Sequence, residues 1–168
     1  MTNNIKIERS SKFSYPIELN LSLLQSLGVE IFHFDKNSPR IPLPIFGSKV
    51  AAGFPSPADD YIEKSLDLNE LLIQKPAATF FVRAQGESML GAGIHPNDIL
   101  VVDKSADAID GKVVIAALNG ELTVKRLTKN LDGTWYLKAE NNAFPDILLH
   151  DELELVIWGV VTSVIHNL

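Results

Sequence analysis

The dipeptide Asn119-Gly120 separates the apolar run Val113–Leu118 from a second strand-like run that begins at Leu122. Asn-Gly is the strongest short-range hairpin signal, because a type I′ turn needs positive φ at both central residues; a β-hairpin is therefore expected over residues 113–127. Within its second strand, alternation puts Val124 on one face and Thr123 and Lys125 on the other. The runs Thr79–Val82, Ile99–Val102, Trp135–Leu137 and Leu155–Trp158 are equally short, rich in β-branched and aromatic residues, and spaced by turns. The pattern implies a compact, mostly β domain.

The first 52 residues read differently. Residues Ile17 to Phe34 suit either a short amphipathic helix or an extended apolar segment, and Pro39, Pro42 and Pro44 with Gly47 are expected to forbid a regular element after it. A second breaker cluster, Gly53-Phe54-Pro55-Ser56-Pro57-Ala58, leaves Lys49-Val50-Ala51-Ala52 as an extended, accessible island. From Asp59 there is room for short helical turns, with Leu66, Leu68, Leu71, Leu72 and Ile73 forming an apolar face near Asp67–Gln74. At 168 residues, 46% hydrophobic and 21% charged, the chain has the size and composition of one globular domain plus an appendage. The expected division is a flexible N-terminal arm, residues 1–52, and a β domain, residues 53–168.

Several function classes lose their support here. There is no cysteine, which removes disulfides, thiolate metal sites and a cysteine nucleophile. The N-terminus lacks the apolar segment of a signal peptide and no run of about 18 apolar residues occurs, so the chain is expected to be soluble and cytoplasmic, with no membrane partner. Residues 1–52 carry six Lys/Arg against four Asp/Glu (+2), leaving nine against seventeen (−8) for residues 53–168, a total of −6. An acidic main domain repels the phosphate backbone, and direct specific DNA binding is not expected. His33, His95, His150 and His166 show no metal-ligand spacing and read as surface or capping residues, while phosphate-loop and dinucleotide fingerprints are absent. Neither a metal nor a cofactor is expected.

Gly86-Glu87-Ser88-Met89-Leu90 lacks the second glycine of a nucleophile elbow, and the α/β alternation around such an elbow is missing, which excludes an α/β-hydrolase. Ser88 can still be a nucleophile if a lysine of lowered pKa activates it, and Lys125, on an apolar hairpin strand, is the candidate. Taken alone, these two residues read more readily as a loop serine and a strand lysine reaching to solvent.

Read together, the stretches Ala51–Tyr61, Asp67–Gln74, Phe81–Met89, Asp98–Asp103, Gly111–Ala117, Glu121–Leu127 and Gly159–Val161 closely resemble, in order, the LexA/UmuD family of self-cleaving serine-lysine peptidases. The likeness covers nearly all of residues 51–168. Its most specific marks are Gly-x-Ser-Met at 86–89 and Thr-Val-Lys at 123–125, with Ser88 and Lys125 separated by the family's spacing, 125 − 88 = 37. The resemblance implies a LexA-like β fold, Ser88 as nucleophile, Lys125 as general base, and self-cleavage between Ala52 and Gly53. It also implies stimulation by RecA filaments on single-stranded DNA in the SOS response. The product would be a homodimer that joins a UmuC-type translesion polymerase subunit to make an error-prone polymerase.

The alternative within the family is a LexA-like transcriptional repressor, which needs an N-terminal helix-turn-helix. Residues 1–52 offer at most one amphipathic helix and no basic reading helix. Signal-peptidase-like processing of other proteins would need a membrane anchor, and a pure binding module would not need both dyad residues. The arm is longer than in the best-known UmuD-type members, and the resemblance assigns no role to the extra residues.

Overall fold

A computed structural model describes residues 31–33, 37, 39–46, 62–150 and 153–168. In chain order its strands are β1 (Ile31–His33), β2 (Leu43–Phe46), β3 (Ile62–Leu66), β4 (Thr79–Arg83), β5 (Ile99–Asp103), β6 (Val113–Leu118), β7 (Glu121–Lys129), β8 (Trp135–Lys138), β9 (Ile147–Leu148) and β10 (Leu155–Ile165). One short helix, Leu68–Leu72, and a 3-10 turn, Leu90–Ala92, complete the regular structure of the described residues. Eight strands form one sheet in the order β1-β4-β5-β10-β6-β7-β8-β9, and β2 pairs with β3 separately. Every pairing is antiparallel. The mostly β expectation is borne out.

The Asn-Gly turn behaves as its chemistry requires. Asn119 and Gly120 take φ of 48° and 85°, and β6 pairs with β7 in unbroken register from Val113↔Arg126 to Leu118↔Glu121. Adjacent residues of β6 point to opposite faces, so Val114 and Ala116 join one buried cluster with Leu127, Leu137, Leu149 and Val160, while Ile115 joins another. That other cluster gathers Phe80, Val82, Ala84, Met89, Ile94, Leu100 and Val102. The sheet is therefore packed on both faces. Leu100, Val101 and Val102 of β5, a continuous apolar run, are fully buried.

The long strand β10 joins these halves. Its first part pairs with β6 and its last part with β5, with register irregularities between Ile157 and Gly159 and between Val161 and Ser163. Bulges of this kind bend a strand and re-aim its side chains. Gly159 stands in the bend, where a Cβ would lie 2.7 Å from Val102 Cγ1 and 3.0 Å from the Asp103 carbonyl oxygen. A side chain at 159 would push β10 off β5.

Two local expectations are corrected. Pro44 lies inside β2, in the segment expected to hold no regular element. A two-stranded sheet leaves each strand one unpaired edge, which is where proline is tolerated. The helix near residue 70 buries only the end of its expected apolar face: Ile73, its C-cap, is buried, but Leu68 and Leu71 are more than half exposed, no residue of Leu68–Leu72 is buried, and Leu66 belongs to β3. Its cause is a cap. Buried Asp67 accepts from the Asn69 N–H at 2.8 Å through Oδ1 and from the Ile41 N–H at 3.0 Å through Oδ2. These bonds, the one from Asn69 foremost, hold the Asp67 carboxyl below its ordinary pKa. Residues 31–33 form a strand at the edge of the main sheet, with Ile31↔Val82, Phe32↔Phe81 and His33↔Phe80, in keeping with the extended alternative for Ile17–Phe34. The rest of Ile17–Phe34 lies outside the described residues.

Candidate active site

Ser88 sits in the turn that leaves β4, and its position is fixed from two sides. Met89 is 1% exposed and plugs the first core cluster, while its carbonyl accepts from the N–H groups of Ala92 and Ile94. Gly86 and Gly93, with φ of 80° and 74°, make the turns on either side that a side chain would strain. From across the fold, the segment after β8 clamps the same turn: the Glu140 N–H donates to the Ser88 carbonyl at 2.8 Å, and the Gly91 N–H donates to the Glu140 carbonyl at 2.7 Å. Asn141 adds a third tie, its Nδ2 donating to the Glu87 carbonyl at 2.9 Å. The Glu140 side chain is held by Arg126, whose Nε donates to Oε1 at 2.5 Å.

Lys125 comes to this turn from β7, opposite Val114 of β6. It is 7% exposed. Its Nζ lies 2.8 Å from Ser88 Oγ, 3.1 Å from Thr123 Oγ1 and 3.1 Å from the Val124 carbonyl. All three partners are neutral, so no carboxylate favours the charged form, and burial lowers the lysine pKa. Three acceptors satisfy an ammonium. Once Nζ loses a proton, two N–H groups remain for Thr123 and Val124, and the lone pair faces the Ser88 hydroxyl, which then donates to it. The same arrangement thus suits the resting lysine and a lysine that takes a proton from serine.

The two residues singled out in the sequence are therefore brought together, while Ala52 and Gly53 lie outside the described residues. Sequence reasoning placed Thr123 on the Lys125 face without giving it a role. It missed Gly91, Glu140 and Asn141 altogether, because their ties to the Ser88 turn run mostly through backbone groups that no residue pattern advertises. Among the described residues, no helix is long and apolar enough to cross a membrane.

Comparison with known proteins identifies the family. The Peptidase S24-like family matches residues 44–162. Protein SamA of Salmonella typhimurium strain LT2 is 51% identical over 124 residues, which cover 74% of this chain and 85% of SamA. Protein MucA of Escherichia coli is 41% identical over 135 residues, 80% of this chain and 91% of MucA. The LexA repressor of Vibrio atlanticus is 38% identical over 145 residues, 84% of this chain and 68% of the repressor. The resemblance read from the motifs at 86–89 and 123–125 is borne out across most of the sequence, and the chain belongs to the Peptidase S24-like family, UmuD-like and LexA-like serine peptidases that cleave themselves.

Proposed function

We propose that this protein is a UmuD-type factor of SOS mutagenesis, in which Ser88 is the nucleophile and Lys125 the general base for cleavage of the protein's own Ala52-Gly53 bond. The observation that carries this reading is the 2.8 Å contact between Lys125 Nζ and Ser88 Oγ at a buried, charge-poor position. Neutral Lys125 takes the hydroxyl proton as Oγ attacks the Ala52 carbonyl carbon, and backbone N–H groups of the Ser88 turn stabilise the oxyanion. The tetrahedral intermediate then collapses. The Ala52-Gly53 bond breaks, Lys125 returns its proton to the Gly53 amine, and water, deprotonated by the same lysine, hydrolyses the Ser88 ester.

Small residues on both sides of the bond suit a narrow cleft, and a docked cleavage segment removes water from Lys125, favouring its neutral form further. A RecA filament on single-stranded DNA acts by stabilising that docked state. The product, Gly53–Leu168, works in the cytoplasm as a homodimer bound to a UmuC-type polymerase subunit. The UmuD-like relatives, 41 to 51% identical, support this reading over a repressor at 38%. The acidic balance of residues 53–168 also disfavours direct operator binding.

The test is genetic. Cells whose only copy carries Gly53→Glu, which sets a charge where the cleft takes a small residue, keep the protein but lose damage-induced mutagenesis. A chain beginning at Gly53 restores it without activation. Equal mutagenesis from both forms would overturn the reading.

A further inference from the structure

Beyond the dyad, the fold gathers one more set of chemically competent side chains. His95 and His166 are 71 residues apart (166 − 95), yet both stand against the carboxylate of Asp98. His166 Nδ1 lies 2.6 Å from Asp98 Oδ1, His95 Nδ1 lies 3.6 Å from Asp98 Oδ2, and the two imidazole centroids are 4.7 Å apart. One ligand atom from each residue can be chosen so that all three lie within 4.8 Å of one another.

Asp98 is held in the interior, and both histidines are partly exposed. The Asp98 side chain is 2% exposed, its Oδ2 accepts from the His95 backbone N–H at 2.7 Å, and its own carbonyl accepts from the Ala84 N–H at 2.8 Å. Its carboxylate faces two imidazoles whose side chains are 47% and 43% exposed.

We propose that His95, Asp98 and His166 form a binding site for a divalent transition-metal ion of the zinc class. Two imidazole nitrogens and one carboxylate oxygen suit zinc, cobalt or nickel and not magnesium, which takes oxygen ligands. Zinc bonds of about 2.0–2.1 Å require ligand atoms about 3.3 Å apart, so the exposed imidazoles move inward on binding while Asp98 stays in place. The proton that His166 Nδ1 shares with Asp98 shifts to Nε2 if Nδ1 is the ligand. Water completes the tetrahedron. The consequence is structural: the ion staples His166, the residue directly after β10, to the loop that follows the Ser88 turn.

The experiment titrates the full-length chain with zinc chloride by calorimetry near neutral pH, with magnesium chloride as the comparison. Zinc should bind at one equivalent, weaken about tenfold or more in His95→Gln and in His166→Gln, and bind undiminished to His150→Gln. His95→Gln is the decisive variant should His166→Gln fold poorly, because the His95 contact that shapes the loop comes from its backbone. No zinc binding up to millimolar concentration, zinc binding unchanged by His95→Gln, or magnesium binding as tightly as zinc would each overturn the proposal. None of these readouts depends on self-cleavage.

Discussion

Gly91 and Glu140 meet backbone to backbone: the Gly91 N–H donates to the Glu140 carbonyl at 2.7 Å, and a Cβ on Gly91 would fall 2.6 Å from that same oxygen. The neighbouring Glu140 N–H holds the carbonyl of Ser88. The close approach that only glycine allows therefore lies within the clamp on the Ser88 turn, three residues from its hydroxyl.

Gly91→Ala should open that clamp. The clashing atom is backbone and cannot rotate away, so a loss of about 1–3 kcal/mol of stability is expected, together with a larger loss of self-cleavage as Ser88 drifts from Lys125. Thermal denaturation and the cleavage rate of the same sample check both. A variant as stable and as active as the parent would show that the contact does not position the serine.

The pH dependence follows from Lys125. Burial lowers its pKa below 10.5, and the proposed base is its deprotonated form, so unassisted cleavage should rise with pH and level off below 10.5. Between the lowered folded value and 10.5 the unfolded chain holds the extra proton, so this group also makes stability rise with pH across that window. Lys125→Arg, permanently charged, should be inactive at every pH. Thr123→Val removes one acceptor, which the ammonium loses more than the amine does, so the rate profile should move to lower pH with a plateau about tenfold lower. A rate that stays flat from neutral to strongly alkaline pH in a folded protein would count against a lysine base.

The strand pairings make a prediction about the product. The Ala52-Gly53 bond lies in the connection between β2 and β3, and residues 1–52 contain both β1 and β2. Cleavage at that bond would therefore leave the smaller fragment hydrogen-bonded to β4 and β3. Cleaved protein should elute in native size-exclusion chromatography with both fragments together and separate only in mild denaturant, baring the edge of β4. Immediate separation under native conditions would show that these pairings are too weak to retain the arm.

What could be read in advance, and what could not, divides along physical lines. β4, β5 and β6 were legible because runs such as Ile99–Val102 are branched, apolar and bounded by turns, and the Asn119-Gly120 turn has one low-strain solution. β10 was foreseen only as Leu155–Trp158, since Gly159, Thr162 and Ser163 break the apolar run where the strand bulges. Leu68 and Leu71 suggested a buried helical face because helical spacing says nothing of whether a neighbour covers it. Ser88 and Lys125 were legible as a pair only through the family's motifs. The burial that sets the chemistry of Lys125 arises from strands far from it in sequence, and the grouping of His95 with His166 arises the same way.

Under the proposed function, Ser88 attacks the chain's own Ala52-Gly53 bond. Intact-mass spectrometry after incubation with RecA filaments on single-stranded DNA, or at alkaline pH alone, tests it most directly. The parent chain should yield Met1–Ala52 and Gly53–Leu168 and no other products, and Ser88→Ala should remain whole under the same conditions. Cleavage of Ser88→Ala at the same bond, with no contaminating protease, would contradict the account.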